Sequence, residues 1–142
     1  MNLEWMMLAN HAELSSNGLL YISGGGWDTV TVGAPVEGAP PDVFTVLQGT
    51  LVIRLQFHPT EAGRDHSFAL TIIDEDGDEV GKAEGAVRVE RTPGLPPGWL
   101  QNVNIPVPLM GVTLPRPGLY TMSVQVDGQH LGDRPFRILK GY

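Results

Sequence analysis

The sequence predicts an all-β protein: a two-layer antiparallel β-sandwich of about nine strands, in one domain over residues 1–142. Three observations predict it. Apolar residues recur at every second position in short runs, and helical periodicity is nearly absent. Glycine (18 residues) and proline (12) are abundant while charged residues are 18%, a composition of turns and strands rather than of a disordered chain. Asp-Gly pairs at 76–77 and 127–128 lie between apolar runs and signal hairpins, Asp76-Gly77 through a type I′ turn, which needs positive φ at both central positions.

In chain order, residues 2–9 form the first strand, with Leu3, Trp5 and Met7 on one face and Met6 and Leu8 on the other. Both faces are apolar, which predicts cover on both sides. A second strand spans 18–23 and runs into Gly24-Gly25-Gly26-Trp27-Asp28, expected as a tight loop because glycine lacks the Cβ barrier to positive φ. Residues 28–32 are a short β-branched strand, and the proline-rich 33–42 is a loop. Residues 46–57 give the clearest strand, with Leu51, Ile53, Leu55 and Phe57 on one face. Strands at 66–73 and 80–91 flank the acidic run 74–79, with a parity break that makes Gly81 and Gly85 candidates for bulges or close approach.

Residues 101–110 carry Val103, Ile105, Val107 and Leu109 on one face, alternating with Pro106 and Pro108. Residues two apart direct their N–H groups to the same side, so both missing donors fall on one side, and an edge strand is expected. Strands at 119–127 and from 129 to Leu139 close the chain, with Pro135 at a bulge or an edge. The expected core is Trp5, Leu20, Leu51, Ile53, Leu55, Phe57, Phe68, Leu70, Ile72, Val87, Val103, Ile105, Val107, Tyr120, Met122, Val124, Val126, Phe136 and Ile138.

Net charge of −7 repels phosphate backbones, so nucleic acid is not expected as a partner. No apolar run approaches the ~20 residues of a membrane span, and the first residues lack the basic and apolar regions of a secretory leader. Absence of cysteine excludes disulfides and thiolate metal sites and fits a reducing, cytoplasmic setting.

Candidate chemistry is sparse. The carboxylates at 74, 75, 76, 78 and 79 offer hard oxygen ligands, but the spacing is not that of a twelve-residue calcium loop, and a solvated hairpin tip is the plainer reading. His58, Glu61 and His66 have the residue types of a two-histidine, one-carboxylate site, but loosely spaced. No nucleophile motif is present, and no cofactor or metal is expected. Paired glycosidase carboxylates are a spatial property, and only Asp28 has a distinctive context. The candidate binding residues are therefore Trp27 and Asp28, joined by Trp99 if both indoles lie at one end of the sandwich. The plain alternative is a buried Trp27 that closes one end of the core.

Several blocks together carry a family likeness: Trp5 to Glu13, Asn17-Gly18-Leu19-Leu20-Tyr21, Trp27-Asp28, Asp74-Glu75-Asp76-Gly77, and Gly118-Leu119-Tyr120 with Val124 to Gly128 and Pro135-Phe136. The chain resembles a family of small bacterial proteins, common in actinobacteria, classed as a domain of unknown function. The resemblance implies a compact cytoplasmic β-sandwich and supplies no activity or catalytic residues. Pro117-Gly118-Leu119-Tyr120 also partly resembles the tyrosine corner of immunoglobulin-like sandwiches; for the sandwich as a whole, immunoglobulin-like and jelly-roll connections are the expected alternatives. The function expected is a non-enzymatic protein-interaction or assembly module, with a protein partner or self-association. A small-ligand or carbohydrate binder is the alternative, and a metal-dependent enzyme comes third.

Overall fold

The computed structural model describes residues 1–142. The elements are β1 (Asn2–Leu14), β2 (Leu20–Trp27), β3 (Thr29–Val32), β4 (Thr45–Phe57), a 3-10 turn (Pro59–Glu61), β5 (Asp65–Ile73), β6 (Glu79–Arg88), β7 (Gln101–Leu114), β8 (Gly118–Val126) and β9 (Gln129–Lys140). They form two sheets, of order β2-β1-β4-β7 and β3-β9-β8-β5-β6. All pairings are antiparallel except β3 with β9, which is parallel.

One apolar cluster draws on both sheets. Met6, Leu8, Leu47, Leu51, Ile53 and Leu55 come from the first, and Leu70, Ile72, Tyr120, Met122, Val124, Val126, Phe136 and Ile138 from the second. Burial of each such side chain contributes roughly 1.5–3 kcal/mol before ordering entropy is subtracted. The alternation in β4 and β8 places these residues as expected.

Elsewhere the expectation needs correction. Trp5 and Leu20 are half-buried on the outer face of the first sheet, with Met7, around Ala9, Ala12 and Val52. The register of β1 against β4 slips between Leu3 and Trp5, which turns Leu3, Met6 and Leu8 toward the main core and leaves Trp5 outside it. Phe68, Ile105 and Val107 are also only partly buried, because they lie where the sheets part between β6 and β7, and Val103 is partly buried against Phe57, Val87 and Val89.

The glycine triplet is not a loop. Gly24, Gly25 and Gly26 lie within β2, and positive φ at Gly24 (61°) and Gly26 (92°) bends the strand where its register against β1 shifts. Glycine freedom is spent there on a bulged edge strand rather than on a reversal. The two Asp-Gly turns also differ. Asp127 (φ 52°) and Gly128 (φ 77°) are both left-handed, as a type I′ turn requires. In the other, only Gly77 has positive φ (85°), and its N–H donates to Asp74 O at 3.1 Å, a type I turn followed by a glycine bulge.

Proline placement matches expectation. β7 is an edge strand, with Pro106 and Pro108 opposite Val52 and Thr50 of β4 and their missing donors on the free side. Pro135 lies in β9 short of the Arg137–Lys140 stretch that pairs with β3. Gly81 is a close approach, since a Cβ there would lie 3.1 Å from Val112; Gly85 faces open space.

Tyr120, 1% exposed, stacks on Phe136 at 5.5 Å and donates its hydroxyl to Arg116 O at 2.6 Å. The bond pins the β7–β8 turn to the start of β8. Tyr120→Phe is expected to lower stability by about 1 kcal/mol with the fold kept, read as a shifted urea midpoint at unchanged slope.

Candidate functional site

Trp27 ends β2 and lies opposite Leu8 of β1. It is half-buried, packs against the main core, and its Nε1–H is buried without an acceptor. The ring is held because β4 has no side chain at Gly49: a Cβ there would lie 3.1 Å from the indole and 2.7 Å from Ala9 O. Beside it, Asn10, Gly24–Trp27, Thr29, Val30 and Thr45–Gln48 line an open cleft of about 710 Å³.

Asp28 is not a free carboxylate. Its Oδ1 accepts from Thr29 Oγ1 at 2.8 Å and lies 3.4 Å from Arg137 Nη2. The Thr29 hydroxyl, with help from Arg137, holds the carboxyl below its usual range. Trp99 does not join this pair. It lies 59% exposed in the β6–β7 connection, beyond Gln101, which pairs with Phe57, whereas Trp27 lies against Gly49 near the opposite end of β4.

The His58, Glu61 and His66 side chains do not converge on one point. His58 caps the 3-10 turn through Thr60 N, and the Glu61 carboxylate takes the Met1 amino group at 2.7 Å and His58 N–H at 2.9 Å. His66 is 2% exposed, with Nδ1 at 2.6 Å from Asp127 Oδ2 and Nε2 at 2.7 Å from Glu61 O. A carbonyl and a carboxylate both accept, so the ring satisfies both by donating from both nitrogens, as imidazolium. The Asp127 contact, then the Glu61 carbonyl, raises the His66 pKa, while His66 and Ser67 N–H lower that of Asp127. With both nitrogens engaged, this pair is a brace between β5 and the β8–β9 turn rather than a base awaiting a substrate.

The acidic hairpin is more tied down than a solvated tip. Asp74 Oδ1 accepts from the N–H groups of Asp76 and Asp78, both at 2.9 Å. Arg116 Nη2 lies 2.8 Å from both Asp74 and Asp76, and Glu75 accepts from Leu119 N–H at 2.6 Å. Asp74, Asp76 and Asp78 could gather around one cation, but the Arg116 guanidinium already bridges two of them.

The remaining feature is the open side between β6 and β7, the free edges of the two sheets. The β6 positions opposite His66, Phe68, Leu70 and Ile72 are Val87, Gly85, Ala83 and Gly81, so beyond Val87 only small residues face the interior here. They leave an apolar groove of about 250 Å³ lined by Phe68, Ala83, Gly85, Val87, Ile105 and Val107, with a smaller hollow further along beside Leu109 and Met110. Met110 is 84% exposed, and the β6–β7 connection adds exposed Trp99 and Leu100.

The sequence matches the family described as a family of unknown function (DUF6941) over residues 4–139. The chain belongs to that family. No curated protein matches it significantly. Among solved structures it is similar to the Pseudomonas fluorescens alkylpurine DNA glycosylase AlkC bound to DNA containing an abasic site analog, at 14% identity and a TM-score of 0.41. That likeness covers 94% of this chain and 30% of the glycosylase chain. No helix in this DUF6941 chain is long and apolar enough to cross a membrane.

Sequence reading of the DUF6941 chain missed the His66–Asp127 brace and the groove. A signal for the first was present: the alternation that turns Phe68, Leu70 and Ile72 inward carries His66 with them. The groove has no local signal, because it joins residues about twenty positions apart on strands of different sheets.

Proposed function

We propose that the protein is a non-enzymatic interaction or assembly module, with immunoglobulin-like connections, whose working surface is the open side between β6 and β7. Immunoglobulin-like connection is supported by the parallel β3–β9 pair, by the order β9-β8-β5-β6 beside it, and by the Tyr120 hydroxyl reaching back four residues to Arg116 O. The observation that carries the interaction reading is the apolar groove between two free sheet edges, continued by a hollow beside exposed Met110, with Trp99 and Leu100 exposed in the connection between the same two strands. The ionisable clusters favour the same reading. His66, Asp74 and Glu75 each spend their polar atoms on groups of this chain, which leaves little for a substrate.

Gly85 tests it, because it lines the groove, a Cβ there would meet nothing within 4 Å and its φ is not left-handed, so an arginine can leave the backbone unstrained and extend into the groove. Gly85→Arg is expected to keep the strand-type circular dichroism spectrum and to lose proteins that co-purify with the wild type after cross-linking in the native cell. An unchanged set of cross-linked proteins would overturn the reading.

A second reading, a small-ligand or carbohydrate site at Trp27 and Asp28, is favoured by one observation: the unpartnered indole N–H beside the 710 Å³ cleft. It requires a glycan from a panel to shift tryptophan emission in the wild type and not in Trp27→Phe; no response from any glycan removes it.

A further inference from the structure

The β6 strand carries a feature that the groove does not explain: a backbone edge with no neighbour and a charge pattern, Lys82-Ala83-Glu84, that becomes its own opposite when reversed. Ser67 of β5 turns both backbone groups toward the β8–β9 turn, its carbonyl accepting from Asp127 N–H at 2.8 Å and its N–H donating to Asp127 Oδ1 at 2.9 Å. Alternation then turns His66, Phe68 and Leu70 toward β6, and their partners Val87, Gly85 and Ala83 back toward β5. Lys82, Glu84 and Ala86 therefore direct their N–H and C=O groups away from the sheet. The facing edge strand, β7, belongs to the other sheet and lacks donors at Pro106 and Pro108. Nothing in the chain pairs with the outer side of β6.

We propose that β6 pairs with β6 of a second copy of this chain, antiparallel, about a two-fold axis at Ala83, joining two five-stranded sheets into one. The proposal rests on the assembly reading above and names its partner. Charge complementarity selects the partner and the register. Centring on Ala83 places Lys82 opposite the second copy's Glu84, and Glu84 opposite its Lys82, in hydrogen-bonded positions whose backbone groups are the free ones. Within one chain these side chains already approach to 2.8 Å, and they are exposed at 47% and 66%. Each copy's acidic start, Asp78-Glu79, then runs toward the other's Arg88. Centring on Lys82 or on Glu84 would put like charges face to face. Centring on Ala86 pairs Glu84 with Arg88 but shortens the ladder to residues 84–88, whereas the Ala83 register holds residues 79–87. A small two-stranded contact predicts a weak dimer, below the area of a standard interface.

The test is sedimentation velocity of the full chain from about 1 μM to about 1 mM, a range set by the weak contact expected. The wild type is expected to shift from monomer to dimer as concentration rises. Lys82→Glu and Glu84→Lys each turn both symmetric pairs repulsive and are expected to weaken association about tenfold or more. An equimolar mixture of the two variants restores opposite charges at every pair and is expected to dimerise at least as well as the wild type. A merely structural role for either side chain would not produce that rescue. A wild type monomeric throughout, or a dimer indifferent to both substitutions, overturns the proposal. If self-pairing fails while Gly85→Arg still removes a cross-linked protein, the interaction reading survives with a different partner; if both fail, both are wrong.

Discussion

Gly49→Ala is expected to destabilise the protein by about 2–5 kcal/mol, combining strain in a glycine-only region with overpacking of the core. Gly49 has φ of 131°, where L side chains are rarely found, and marks the shift in register between β4 and β7. A Cβ would sit 2.7 Å from Ala9 O, a backbone atom held in the β1–β4 ladder that cannot swing aside, and 3.1 Å from the Trp27 ring. One methyl group would therefore strain β4, push on β1 and displace the indole. The expected readout is a large fall in the urea midpoint with a shift in Trp27 emission. Gly33→Ala, where a Cβ meets nothing within 4 Å and φ is not left-handed, is the matched control and is expected to change little.

His66→Ala is expected to cost about 2–4 kcal/mol, because it empties a buried site and orphans the Glu61 carbonyl. It should also change how stability depends on pH. His66 has a folded pKa raised above its unfolded value of about 6.5, so its stabilisation is complete below that pH and is lost as pH rises through the folded value. Asp127 has a depressed folded pKa, so its contribution is present above the unfolded value of about 3.9 and is lost as pH falls through the folded one. Wild-type stability should therefore be best supported by this pair between about pH 4 and pH 6.5 and decline on the alkaline side. In His66→Ala the alkaline decline should flatten. A decline of equal size in the variant would show that some other group sets it.

How far the sequence carried can be seen from particular residues. Leu51, Ile53, Leu55 and Phe57 are buried because strict alternation in a central strand leaves one register that hides all four. Pro106 and Pro108 announced an edge strand because a missing donor is a local, covalent fact. The Asp-Gly pairs marked both hairpins but not the turn type: Asp127-Gly128 forms the type I′ turn, and Asp76-Gly77, read as type I′, does not. The misreadings share a different cause. Trp5 is outside the main core because a one-residue slip against β4 inverts the faces of β1, and a slip is a property of the pair of strands. Gly24 to Gly26 read as a loop because glycine permits both a reversal and a bulged strand, and the partner strand β1 decides between them. Phe68, Ile105 and Val107 read as core because they are apolar and alternate; they are half-exposed because Ala83 and Gly85, in another strand, supply too little bulk to cover them.

Residue-resolved amide hydrogen exchange along β6 tests the open edge most directly. In dilute protein, the account predicts slow exchange at Ala83, Gly85 and Val87, which β5 holds, and fast exchange at Lys82, Glu84 and Ala86. At high concentration Lys82 and Glu84 should become slow in the wild type and stay fast in Lys82→Glu. Protection of Lys82 and Glu84 at every dilution, or fast exchange at Ala83 and Gly85, would contradict it.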